Sequence, residues 1–222
     1  MESKQNQKTA WRNAFDQIHD VMTKAKDDVE KMLAERKKEG KIEDIRQAMK
    51  SIAGNAFSNT IVFIFLKNKI MGNIKPDIYI TAKKSQVKNF ENIATIYVNK
   101  ETQKPDVDLI VFTKEKDESV KKCMILSLKT SLRERAGQTY KWKLLMEIAS
   151  TDNPVKKKYN ISYAPKHMPL VAFATVNFYD EINQPQHRGM FKFFDKSFIA
   201  KPINENFISR LSKLVDFANE KL

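Results

Sequence analysis

Cysteine is all but missing from these 222 residues: Cys123 stands alone, which excludes an internal disulfide and fits a reducing compartment. Histidine is nearly as scarce, and His19, His167 and His187 have no spacing that would build a zinc site with one cysteine. Only five glycines occur, none grouped into a phosphate-cradling loop, so no nucleotide cofactor is expected. No Ser–His–Asp arrangement stands out. Long hydrophobic runs are absent too: Ile61 to Leu66 is the longest, far short of a bilayer span. The polar segment MESKQNQKTAWRN lacks an apolar signal core. A soluble, cytoplasmic protein with no membrane partner is expected. Acidic residues are outnumbered, 27 against 40 Lys and Arg, leaving a formal net charge of +13. Such a balance favours a polyanionic partner, unless it reflects only lysine-rich composition.

What is present suffices for one core. Hydrophobic residues make up 41% of the chain, and a single domain over 1–222 is the default. Residues 8–38 read as one long amphipathic helix, with Trp11, Phe15, Ile18, Met22, Val29 and Met32 at helical spacing. Gly40 is its predicted C-terminal stop. A second helix is predicted over 43–69, and Gly54 within it suggests a close approach to another element. The 1–70 part is thus helical, with dimerisation or DNA clamping as its expected role. Short apolar stretches at 93–98, 107–112 and 124–128 then read as strands. A helix is predicted over 133–150, a loop over 151–166, a buried strand within 169–179 and a polar loop over 180–189. A further strand or packed segment and a closing helix over 204–221 complete the chain. The order predicts an α/β fold with a mixed central sheet flanked by helices.

The chemistry concentrates in KPDVDLIVFTKEKDESVKKCMILSLKTSLRERAGQTYKW, residues 104–142. Asp106 and Asp108 head one apolar strand and share a face, because side chains alternate along a strand. Ser127 and Lys129 share a face at the end of the next strand. A polar turn joins the two, and paired strands lie about 4.8 Å apart, so the groups can converge on one phosphate. Carboxylates that can hold Mg²⁺, beside a lysine that can orient water, suit phosphodiester hydrolysis. Taken singly, the aspartates read as a solvated strand end and Lys129 as a snorkelling lysine.

This arrangement resembles the PD-(D/E)xK nuclease superfamily. SLKTSLRERAGQ is similar to the variant in certain type II restriction endonucleases, where S-x-K precedes T-S/T-x-R-x-R. The likeness covers roughly 93–180 and is sharpest over 105–147. It implies a restriction-endonuclease-like core over 90–180, and a recognition loop and closing helix over 180–222. It also implies sequence-specific, Mg²⁺-dependent cleavage of double-stranded DNA to 5′-phosphate and 3′-hydroxyl ends, in the cytoplasm of a prokaryote. Asp108, which leads directly into the apolar strand, or Asp106, in the proline–aspartate position, becomes the first metal ligand, and Lys129 the catalytic lysine. Ser127 replaces the usual second acid. The resemblance places the missing carboxylate on the following helix, where Glu134 and Glu147 are the candidates and Glu147 is preferred. The alternative for Glu147 is an i,i+4 partner of Lys143. Ser58 and Asn59 stand where many of these nucleases carry an upstream glutamate, so no metal role is expected there.

Arg133, Arg135, Gln138 and Lys141 follow the catalytic strand and suit phosphate contacts. Asn183, Gln184, Gln186, His187 and Arg188 lie where a polar loop leaves a buried strand, and Asn, Gln and Arg suit base edges. Cutting both strands at a symmetric sequence calls for a twofold homodimer. The same residues also fit a repair or junction-resolving nuclease with the same core, and a basic nucleic-acid-binding module without catalysis.

Overall fold

The computed structural model describes residues 2–132, 136–165, 168–179, 181–203 and 205–222, with the side chains of residues 2 and 136–138 outside the description. The chain begins with α1 (Glu2–Asn13), a 3-10 turn (Ala14–Gln17), α2 (Ile18–Lys24) and α3 (Lys26–Lys38). The single helix expected over 8–38 is therefore broken. The cause lies far off in sequence: Asp16, buried in the 3-10 turn, accepts hydrogen bonds from the Ser212 backbone N–H at 2.9 Å and hydroxyl at 2.8 Å. A charge held at that depth needs such partners. Gly40 ends α3 as predicted. Its φ of +71° is a conformation glycine adopts without steric cost, and the Lys41 N–H reaches back to the Arg36 carbonyl at 2.9 Å.

Helix α4 (Ile45–Ile70) opens on Asp44, whose carboxylate accepts from the backbone N–H groups of Arg46 and Gln47. By length and composition α4 could cross a bilayer, yet Phe57, Ile61, Ile64 and Phe65 on one side enter the core. Gly54 does not mark a close approach: a Cβ there would meet nothing within 4 Å.

Next come β1 (Tyr79–Thr81), α5 (Phe90–Ala94), β2 (Ile96–Val98), β3 (Glu101–Gln103), β4 (Leu109–Lys114), β5 (Val120–Lys129) and α6 (Ala136–Ser150). The chain closes with α7 (Pro154–Lys158), β6 (Ile161–Ser162), β7 (Leu170–Thr175), α8 (Pro185–Phe191), β8 (Lys196–Ile199), β9 (Ser209–Arg210), a 3-10 turn and α9 (Leu214–Lys221). Two stretches expected as loops contain helices for the same reason. Pro154 and Pro185 each sit in the first turn, where a missing N–H costs nothing, and Asn153 and Gln184 before them are extended. The closing helix is shorter than 204–221, because Ser209 and Arg210 pair with β8 as an edge strand.

The main sheet runs β1-β4-β5-β7-β8-β9. β4 and β5 form an antiparallel hairpin with Leu109 opposite Leu126, while β5, β7, β8 and β9 are parallel. The mixed α/β sheet is therefore as expected. Alternation divides its side chains between two cores. Leu109, Val111, Leu126 and Leu128 face α4 and α9, while Ile110, Phe112, Ile125 and Phe173 face Trp142 and Met146 of α6. A small antiparallel sheet, β3-β2-β6, lies apart from the main one.

Candidate active site

The β4–β5 pairing stops at Leu109 opposite Leu126, which leaves Asp106 and Asp108 just ahead of β4 and Ser127 and Lys129 on the last residues of β5. Ser127 and Lys129 alternate with Leu128, which enters the α4 core, and so lie on the face that carries α6. The Lys129 Nζ donates to Asp106 Oδ2 at 2.7 Å and to Asp108 Oδ2 at 3.2 Å. Asp108 Oδ2 also accepts the Leu128 backbone N–H at 2.6 Å, which fixes its carboxylate on the strand end. The lysine side chain is only 9% exposed, whereas those of Asp106 and Asp108 are 46% and 30% exposed. The ammonium therefore lies beneath two carboxylates that reach the surface. Among the described residues, the hydrogen bonds of both carboxylates fall on Oδ2.

Ser127 does not join this group. It is fully buried, with its hydroxyl 3.1 Å from that of Thr139, tying β5 to α6. Nor does the structure bring Glu147 to Lys129. Glu147 Oε1 lies 3.2 Å from Lys143 Nζ, and Lys143 is bound to Asp195 at 2.9 Å. Asp195 accepts the Val171 N–H at 2.6 Å, and Val171 is the register partner of Ile125. Ile125 lies four residues before Lys129, about 13 Å along the strand. The i,i+4 pairing of Glu147 with Lys143 is what the structure contains. Arg133, Glu134 and Arg135 lie outside the described residues, as does the side chain of Gln138. Among the described residues no group of three or more His, Cys, Asp or Glu could hold a metal. Two carboxylates that reach the surface nevertheless fit Mg²⁺, which keeps several waters and is completed by substrate phosphate.

Lys141 is exposed on α6. Asn183, Gln184, Gln186 and Arg188 are exposed around the start of α8, and His187 is half-buried with Nδ1 2.7 Å from the Glu181 carbonyl. A carbonyl only accepts, so Nδ1 carries the proton. Sequence reasoning missed Thr175, Asn177 and Glu181. Thr175 is the register neighbour of Lys129, and all three are buried. The acid Glu181, set against the apolar Ile182 in a segment read as loop, was the available signal.

This site geometry accompanies a family match. Residues 85–217 match the family described as BsaWI restriction endonuclease type 2. The chain belongs to this family of type II restriction endonucleases. The matched span contains the hairpin, α6, β7 and α8, so both lysine clusters fall within it. A search of curated proteins found no match. As a type II restriction endonuclease the protein is a site-specific deoxyribonuclease acting on DNA, and such enzymes generally use a divalent metal. The restriction-endonuclease-like fold expected from the sequence is the one observed.

Proposed function

We propose that this restriction endonuclease cuts double-stranded DNA at a defined sequence in a Mg²⁺-dependent reaction centred on Asp106, Asp108 and Lys129. The observation that carries the reading is the convergence of two surface-reaching carboxylates on one buried ammonium, at 2.7 and 3.2 Å. Asp106 and Asp108 would hold the ion, which supplies Lewis-acid stabilisation to the phosphoryl group when bound. Lys129 donates hydrogen bonds to the attacking water or to a non-bridging phosphate oxygen and so sets the line of attack. The Leu128 N–H holds Asp108 in place for this. Water adds to phosphorus, the P–O3′ bond breaks and O3′ takes a proton, leaving 5′-phosphate and 3′-hydroxyl ends.

Arg133, Arg135 and Lys141 serve as phosphate contacts, and Asn183, Gln184, Gln186, His187 and Arg188 as base readers. The outer side of α4 leaves Phe63, Leu66 and Ile70 exposed, with Val21 of α2 also exposed. This apolar face suits a twofold homodimer contact, in keeping with a symmetric site, and a soluble cytoplasmic enzyme follows from the same reading. Ile70→Asp should then turn a dimer into a monomer in sedimentation analysis. An unchanged dimer would place the contact elsewhere.

The test of the function is digestion of a large defined DNA with Mg²⁺ and with EDTA. Discrete fragments that can be religated, and that vanish in EDTA, are expected. Smeared products, or equal cutting in EDTA, would refute the reading.

A further inference from the structure

Three chain segments meet at Glu181. Its side chain belongs to a residue only 6% exposed, and Oε2 accepts the backbone N–H of Leu132 at 2.8 Å. Leu132 lies three residues beyond Lys129 and directly precedes the Arg133–Arg135 stretch in sequence. The Glu181 N–H donates to Asn177 Oδ1 at 2.8 Å, and the Asn177 N–H donates to Thr175 Oγ1 at 2.9 Å. Asn177 is fully buried with φ +56°, a left-handed conformation that asparagine tolerates better than most residues. The Glu181 carbonyl then takes the His187 Nδ1–H at 2.7 Å and the Gln184 N–H at 3.2 Å. Two backbone bonds run beside this chain, from the Val176 N–H to the Lys129 carbonyl and from the Phe178 N–H to the Thr130 carbonyl.

We infer that Glu181 is a positioning residue that locks the base-reading start of α8 to the exit of the Lys129 strand. This inference rests on the proposed site and adds a residue to it. A carboxylate at this depth is costly unless its oxygens are bonded. Its bond to the Leu132 N–H fixes the peptide leading out of the catalytic strand, while its own backbone carbonyl fixes Gln184 and His187. The unit therefore transmits the placement of the recognition side chains to Lys129 without touching DNA. Its loss should lower turnover and discrimination together, leaving phosphate-driven affinity in place.

The test uses the full-length enzyme at the site mapped for the wild type. Glu181→Ala should lower kcat about 10- to 100-fold, with KM for DNA near wild type, and should narrow the preference over a one-base variant. Glu181→Gln keeps an oxygen for the Leu132 N–H and should restore most of kcat. Should Glu181→Ala fail to fold, Asn177→Gly carries the test, because glycine accepts the left-handed backbone while removing the Oδ1 acceptor. It should show the same selective loss. A folded Glu181→Ala or Asn177→Gly enzyme with wild-type kcat and discrimination overturns the inference, as does a Gln variant as impaired as the Ala variant. Lys129→Ala is run alongside. If it still cuts, the proposed site has failed; if it is inactive while Glu181→Ala cuts normally, only the role of Glu181 has.

Discussion

Two lysines on the same face of the sheet are built almost alike. Lys129 and Lys143 are 9% and 6% exposed at the side chain, and each lies between two carboxylates. Asp106 and Asp108 are 46% and 30% exposed, and Glu147 and Asp195 are 47% and 25% exposed. In each cluster one aspartate also accepts a backbone N–H at 2.6 Å. Burial and charge therefore do not separate the proposed catalytic centre from a structural clamp. The use of the oxygens does. Asp195 has both oxygens engaged by Lys143, at 3.1 and 2.9 Å, and one of them also holds Val171. Among the described residues, Asp106 and Asp108 are engaged through Oδ2, and they stand beside the end of β5, just ahead of β4. The Lys143 cluster closes on itself; the Lys129 cluster, among the described residues, leaves Oδ1 of Asp106 and of Asp108 as the atoms a cation would meet.

The largest effect should come from taking a carboxylate out of the open cluster. Asp108→Ala is expected to reduce cleavage about a thousandfold or more, measured by plasmid nicking at saturating enzyme, with gel-shift binding retained. Full activity in that variant would erase the distinction between the clusters. The clamp should answer in stability instead. Lys143→Met leaves Asp195 without its cation and should cost about 3 kcal/mol, towards the lower end of such losses because Asp195 still meets solvent. The urea midpoint reads this, and activity per folded molecule should persist. Glu147→Gln sharpens the contrast further, since a half-exposed i,i+4 pair contributes about 0.2–1 kcal/mol. Cleavage should stay within about threefold of wild type; a thousandfold loss would return Glu147 to the metal site.

The smallest effect concerns Cys123, six residues before Lys129 on the same strand and face. Burial raises its thiol from the ordinary 9.0 to about 12. A raised acid is stabilising while neutral, so its contribution is intact below pH 9 and declines as pH rises from there towards 12. At pH 8 the native thiol should resist alkylation, and Lys143→Met should expose it sooner than Lys129→Ala does. Equal reactivity in both variants would mean that the clamp does not hold that end of the hairpin.

The hairpin, α4 and the Asp106–Asp108–Lys129 convergence were legible because they depend on short-range patterning: alternation, apolar runs and a fixed strand spacing. The stop at Gly40 was legible for a similar reason, since a left-handed turn after a helix selects glycine. Features that depend on distant partners were not. The helix breaks at Asp16 because of Ser212, 196 residues away. Lys143 is anchored by Asp195, 52 residues on, and Glu147 pairs with that lysine rather than with Lys129. Helix α8 was hidden by Pro185, which reads as a breaker until its first-turn position is seen.

The most direct test of the account is one digestion of a defined DNA by three proteins: wild type, Lys129→Ala and Lys143→Met, each verified as folded. The account predicts the same discrete fragments from wild type and Lys143→Met, and uncut DNA from Lys129→Ala. Cutting by Lys129→Ala, with loss in a folded Lys143→Met, would contradict it and move the catalytic centre to the Lys143 cluster, midway along α6.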